Sequence, residues 1–341
     1  MFKSITQWLA LIGLAFFIVG CSQDAPTKPM VVVEGATMGT YYRVKVVTEG
    51  ISDVAQFQAE LDKRLELVND QMSTYRPQSE LSLFNQAQQS HRVSADTIKV
   101  VKQGIELAHL TQGALDITLG PLVNLWGFGP DAKPKHLPTA QQIAERKAIT
   151  GVEHLSFDGL ILYKAIPELY VDLSSIAKGY GVDVLAEYIE SLGEHHYLVD
   201  IGGELRMKGN NDKDLPWRIA VEKPVTTERA IQKVVVPGNN AVATSGNYRN
   251  YFEENGERFS HMIDPNTGMP IKHKLVSVTV IGPSSMVTDG LATAIMVMGP
   301  KLGYDFASEQ KLAVYMIIKT DSGFVERYTQ DFEPFLLTEA K

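Results

Sequence analysis

The sequence predicts an α+β fold, built as a single intertwined domain with mixed sheets and packed helices. Three observations carry this. Apolar residues at helical spacing alternate with short β-branched runs along the chain. The second half is richer in strand-like runs than the first. No solenoid-type repeat, low-complexity stretch or break in composition marks a domain boundary.

The elements follow in order. Val31 to Val33 and Tyr41 to Val47 read as strands flanking a turn-like Gly35 to Thr40. Val54, Phe57, Leu61, Leu65, Val68 and Met72 predict a helix over about 52–71, capped by Ser52 or Asp53. Ser94 caps a second helix with Ile98, Val101, Ile105 and Ala108 on its inner face, stopped by Gly113. Gly and Pro punctuate 114–138, and Thr139 to Gln142 is a capping box opening a short helix. Phe157 to Leu160 signals a hairpin. Tyr170 to Leu173 reads as a strand, followed by a turn at Ser174-Ser175, a helix to Leu192 and a strand from Tyr197 to Ile201.

Beyond these, Arg218 to Val221, Lys233 to Val236 and Ala241 to Thr244 are strand candidates, and an aromatic hairpin spans 248–259. Leu275 to Ile281 alternates. A helix over about 287–298 ends at Gly299-Pro300, and another covers about 301–310. Ala313 to Ile318 and Phe324 to Tyr328 are the last strands.

The chain has 341 residues, 44% hydrophobic and 21% charged, with net charge −8 and one Cys. That composition is globular. One Cys excludes a disulfide framework and a Cys-rich zinc site. The acidic balance argues against a general nucleic-acid binder. A phosphate ligand would need local devices: main-chain N–H groups, a few Lys or Arg, or a metal.

The N-terminus reads as a signal peptide over residues 1–20, with Lys3 as its positive start and Trp8 to Val19 as its apolar stretch. The stretch is shorter than the ~20 residues of a spanning helix. It ends Ile18-Val19-Gly20-Cys21, which resembles a bacterial lipobox, whose Cys is lipidated and becomes residue one. The alternative is a free or buried Cys at the end of a short anchor. Residues 21–30 form a polar tether, and the folded domain covers 31–341.

Five segments mix Gly, polar and aromatic residues in a way that points to function: 37–40, 113–130, 172–181, 243–250 and 260–268. Asp172-Leu-Ser-Ser-Ile-Ala-Lys178-Gly-Tyr-Gly181 is a strand-to-helix junction. Its helix start could hold an anion, with Lys178 about one turn in; a plain N-cap explains it equally well. Gly179 and Gly181 permit close backbone approach. Asp289 and Thr293 share a helix face and are hard oxygen donors suited to Mg²⁺ or Ca²⁺. Asp289 as an N-cap is the structural alternative. His261 suits proton transfer or a structural role. His195-His196 has no ligand spacing, and Asn210 to Asp214 reads as a solvated turn.

Together, Thr37-Met-Gly-Thr40, Met72-Ser-Thr-Tyr75, the run from Asp116 to Gly129, Asp172 to Gly181, Thr244 to Asn250 and Ser260 to Pro265 resemble the ApbE family of FAD:protein FMN transferases across essentially the whole mature chain. The resemblance implies an ApbE-like, T-fold-related architecture. It implies transfer of FMN from FAD to a Thr hydroxyl of a target protein, with release of AMP and dependence on Mg²⁺. The implied targets are subunits of Na⁺-pumping quinone reductase or Rnf complexes. The implied location is the periplasmic side of the inner membrane, through a lipid on Cys21. Met38, Tyr75, Ala114, Leu115, Asp116, Asp172, Lys178 and Ile263 fall on the family's FAD positions. Ser175 (main-chain oxygen), Asp289 and Thr293 fall on its metal positions, and Ala292 stands where a second acidic residue is common. His261 is the candidate for deprotonating the acceptor. The alternatives are a lipid-anchored FAD-binding protein without turnover and an Mg²⁺-dependent FAD pyrophosphatase.

Overall fold

An eight-stranded antiparallel sheet organises the chain, in the order Met30–Thr37, Thr40–Val47, Tyr197–Ile201, Glu204–Lys208, Ala241–Gly246, Leu275–Gly282, Ala313–Thr320 and Gly323–Tyr328. The computed structural model describes residues 27–131, 134–224, 231–247, 251–254 and 256–337. The expected signal peptide over residues 1–20 and Cys21 lie outside these residues. Hairpin β1 (Met30–Thr37) and β2 (Thr40–Val47) turns on two residues, Met38 (φ 49°) and Gly39 (φ 71°). Both take the left-handed conformation that a tight hairpin requires. The strands therefore run further into 35–40 than the sequence suggests.

Helix α1 (Val54–Met72) starts at Asp53, whose carboxylate accepts from the Gln56 amide at 2.9 Å. Its buried stripe begins at Phe57, because Val54 is exposed. The short α2 (Glu80–Gln86) and β3 (Ser90–Arg92) lead to α3 (Ala95–Leu110), capped by Ser94 as expected. The Gly113 amide donates to the Ala108 carbonyl at 2.8 Å and closes that helix end. Next come α4 (Gly120–Leu125), α5 (Ala140–Lys147) with its capping box, and hairpin β4 (Leu155–Asp158) and β5 (Ile161–Lys164).

The expected strand over Tyr170–Leu173 is not formed. Tyr170 makes one parallel bridge to Leu119, and the Asp172 amide donates to the Ile117 carbonyl at 2.8 Å. The segment pairs with a loop rather than a strand, so no ladder extends. Helix α6 (Ala177–Ser191) begins later than expected, making Lys178 its second residue.

Strands β6 (Tyr197–Ile201) and β7 (Glu204–Lys208) follow, then hairpin β8 (Ile219–Glu222) and β9 (Ile231–Val235). After β10 (Ala241–Gly246) come the pairs β11 (Tyr251–Glu254) with β12 (Glu257–Ser260), and β13 (Ile263–Asp264) with β14 (Met269–Pro270). Strand β15 (Leu275–Gly282) leads to α7 (Ser285–Glu309), interrupted at Gly299 (φ 80°) before Pro300, where the sequence places the break. Strands β16 (Ala313–Thr320) and β17 (Gly323–Tyr328) and a 3₁₀ turn over Gln330–Phe335 complete the described chain.

Alternation along the strands assigns the two sheet faces. Tyr42, Val44, Val46, Tyr197, Val199 and Ile201 pack beneath α1 and α6. On the opposite face, Leu205, Met207, Val242, Tyr315 and Ile317 pack beneath β8, β9 and the C-terminal 3₁₀ turn with Trp217 and Phe332. Tyr41, Arg43, Lys45, Leu198 and Asp200 continue that second face into a cavity. No helix among the described residues is long and apolar enough to cross a membrane.

Candidate active site

The N-terminal ends of α6 and α7 are locked together by Asp183. Its buried carboxylate accepts from Ser284 Oγ (2.8 Å) and from the amides of Ser285 and Met286 (3.0 Å each), while pairing with Arg206 at 2.9 Å. It thereby satisfies free N–H groups at the start of α7. Gly179 allows the two backbones to touch: a Cβ there would collide with the Ser285 carbonyl. Gly181 instead faces side chains, with Met38 Cε nearest.

This junction places Asp289 inside α7, only 3% exposed, rather than at its cap, which is Ser284. The Asp289 carboxylate accepts from the Gly179 amide at 3.0 Å and lies 3.8 Å from Lys178 Nζ. Burial raises its pKa above the ordinary carboxylate value, opposed by Lys178 and by the Gly179 hydrogen bond. Lys178 also donates to Glu204, a buried residue at the start of β7. The ammonium thus sits between two carboxylates. One turn beyond Asp289, Thr293 Oγ1 lies 3.3 Å from Ser245 Oγ.

These groups open onto a cavity of about 1050 Å³. Tyr75, Ala114, Leu115, Asp116, Asp172, Ser175, Lys178, His261, Ile263, Asp289 and Thr293 all line it. Met38 does not. Its side chain packs between the two helix-side cores. Ala292 is fully buried in the main core and offers no ligand.

Tyr75 is 66% exposed, and its hydroxyl donates to the Phe128 carbonyl at 3.2 Å. A largely exposed ring on a cavity wall can stack on a planar ligand. Asp116 accepts from the Thr118 amide (2.7 Å) and hydroxyl (2.6 Å), and Asp172 from the Ser174 amide (2.9 Å). Burial raises both carboxyl pKa values, and these hydrogen bonds oppose it. Each keeps acceptor capacity for a ligand donor.

An aromatic cluster positions His261. Trp126 donates its indole N–H to the Gly268 carbonyl at 2.8 Å, tying the segment after α4 to the turn that follows His261. Trp126 and Phe259 stack at 5.6 Å, Phe252 and Phe259 at 5.2 Å, and Phe128 meets His261 edge-on at 6.3 Å.

The donor set suits a hard divalent cation. Asp289 and Thr293 offer oxygen donors, Ser175 lines the same cavity, and the Asp289 carboxylate lies 3.8 Å from the Lys178 ammonium. Among the described residues, no group of three or more His, Cys, Asp or Glu side chains is gathered as a metal cluster. Sequence reasoning misses Glu204 and Asp183, because each acts through a partner far away along the chain, and it flags the segment 243–250 without singling out Ser245. It also misses the sheet-side wall: Tyr41, Arg43, Lys45, Asp200 and Arg218 to Glu222.

Comparison with known proteins agrees with this geometry. The ApbE family profile matches residues 38–316. The FAD:protein FMN transferase of Vibrio cholerae is 53% identical over 333 residues, covering 97% of this chain and 99% of that protein. Its Haemophilus influenzae counterpart is 46% identical over 349 residues, covering 99% of each. The solved structure of flavin transferase ApbE from Vibrio cholerae superposes with a TM-score of 0.85 at 53% identity, covering 90% of this chain and 99% of that one.

Proposed function

Because the chain belongs to the ApbE family, we propose that it is an FAD:protein FMN transferase, moving FMN from FAD to a hydroxyl of an acceptor protein. The observation that carries this is one cavity of nucleotide size that gathers Asp289, Thr293, Lys178 and His261.

The acceptor Thr oxygen attacks the FMN-side phosphorus of FAD. A new P–O bond forms, the bond to the AMP phosphate breaks, and AMP leaves. His261 takes the hydroxyl proton as that bond forms. Lys178 carries positive charge into the pyrophosphate site, and Glu204 holds it there. Asp116 and Asp172 accept from ribose or adenine donors, and Tyr75 stacks on a ring. Ser175, Asp289 and Thr293 would hold Mg²⁺, which when bound offsets charge on the pyrophosphate and the leaving AMP.

The acceptors in this reading are subunits of Na⁺-pumping quinone reductase or Rnf complexes. Residues 1–20 would direct export, and a lipid on Cys21 would anchor the enzyme at the periplasmic side of the inner membrane.

The test is incubation with FAD, Mg²⁺ and a Thr-bearing acceptor domain, read by in-gel flavin fluorescence. A covalently fluorescent acceptor is the expected result. FMN and AMP without labelling would make the chain an FAD pyrophosphatase, and unchanged bound FAD would make it a binding protein.

A further inference from the structure

The two outer edges of the β8–β9 hairpin are treated differently. The edge of β9 is covered. The Val236 amide donates to the Phe335 carbonyl at 2.8 Å, the Leu337 amide to the Val234 carbonyl at 3.3 Å, and Val235 bridges to Leu336. Along the outer edge of β8, Ile219 to Val221 make no main-chain hydrogen bond to another described segment.

That open edge faces the reaction cavity, since five consecutive residues, Arg218 to Glu222, line it. Side chains alternate along a strand, so five in a row reach one cavity only when the edge itself is turned towards it. Val221 makes this clear: its side chain is buried in the core under the hairpin, so its main chain is what the cavity meets. Below the edge lies a floor of Tyr41, Arg43, Lys45, Leu198 and Asp200, continuous with the region of Lys178 and Asp289.

An exposed strand edge is a template for another extended chain, and proteins usually cover or blunt it. This hairpin covers one edge and, among the described residues, leaves Ile219 to Val221 of the other without a main-chain partner, on the side where a polypeptide substrate must arrive. We propose that the acceptor protein docks by adding an extended segment to the outer edge of β8, which carries its hydroxyl along the floor to His261 and Asp289. The proposal rests on the transferase reading above.

A row of main-chain donors and acceptors at strand spacing matches a peptide main chain and supplies affinity with little demand on sequence. Two cations sharpen the match. Lys45 and Arg218 have no ion-pair partner among the described residues, whereas Arg43 is held by Glu34 at 2.6 Å. A carboxylate on the incoming segment would pair with them.

The experiment uses the full chain with FAD, Mg²⁺ and a soluble, Thr-bearing acceptor domain of a Na⁺-pumping quinone reductase subunit. Hydrogen exchange is followed after adding an acceptor whose Thr is replaced by Val, so that no transfer occurs. We expect slowing by about fivefold or more at those amides of 219–221 that point away from β9. We also expect the Lys45→Glu, Arg218→Glu double variant to raise the acceptor KM about tenfold while leaving FAD affinity unchanged. Protection confined to other segments, with an unchanged acceptor KM, overturns the docking mode while wild-type labelling leaves the transferase reading intact. Weakened FAD binding equal to the KM change assigns the edge to the nucleotide and also overturns it. A wild-type chain that never labels the acceptor defeats both.

Discussion

The cavity has two walls of opposite character. The helix wall, from Asp172 to Lys178 and from Asp289 to Thr293, is fixed by contacts that leave no play. The Gly179 backbone touches Ser285, and Asp183 caps α7 from α6. The sheet wall, from Arg43 and Lys45 to the edge of β8, is exposed, and part of its main chain is unpaired among the described residues. The difference separates two tasks. Charge stabilisation needs donors held still before the reaction begins. A surface that takes up and releases a large partner needs accessible groups that it can satisfy and free again.

The comparison breaks first if the helix wall proves dispensable. Asp289→Ala should lower Mg²⁺-dependent transfer about 10³-fold while circular dichroism still shows the fold; normal metal dependence in that variant would remove Asp289 as a ligand. His261→Ala should slow single-turnover labelling about 10²-fold with FAD affinity retained, and a wild-type rate would remove His261 from the chemistry.

Stability should divide the same way. Gly179→Ala forces a side-chain atom against the α7 backbone and should cost about 2 kcal/mol in urea unfolding. Lys45→Ala on the sheet wall should stay within about 0.5 kcal/mol. Equal costs would erase the contrast.

The smallest effect concerns a support behind the helix wall. Buried Lys164 donates to the Asn85 carbonyl at 2.9 Å, and the Asn85 side chain brackets Val171, next to Asp172. Burial lowers the Lys164 pKa below its ordinary value. Between that lowered value and the unfolded value of about 10.5, the unfolded chain binds more protons, so stability rises with pH. Lys164→Met should flatten that rise, measured below pH ~10, where buried tyrosines do not yet contribute. A slope identical to wild type would show that Lys164 keeps its proton.

Much of the helix wall is legible in the sequence because its signals are local. Asp289 and Thr293 share a face by spacing alone, Gly179 announces a close approach, and the capping box at Thr139 reads directly. The α+β class and most strands follow from period. The sheet wall is not legible, because a face shared by β2, β6 and β8 depends on which strands become neighbours. Glu204 looks like an ordinary residue after a Gly-Gly turn until Lys178 arrives from another element. Strand β7 itself escapes notice because its polar ends mask the alternation. The expected strand at Tyr170–Leu173 fails for the converse reason: its residues suit a ladder, and the fold places no strand beside them.

The cover on the outer edge of β9 comes from residues 335–337, about a hundred residues further along the chain. Synthesis delivers the polypeptide from its N-terminus, so the hairpin must wait for the strands and helix between before this pairing can close. The helix wall, by contrast, is complete once α7 has formed. The helix wall can therefore close before the hairpin is braced, and removing residues 335–337 would take away the cover on the outer edge of β9.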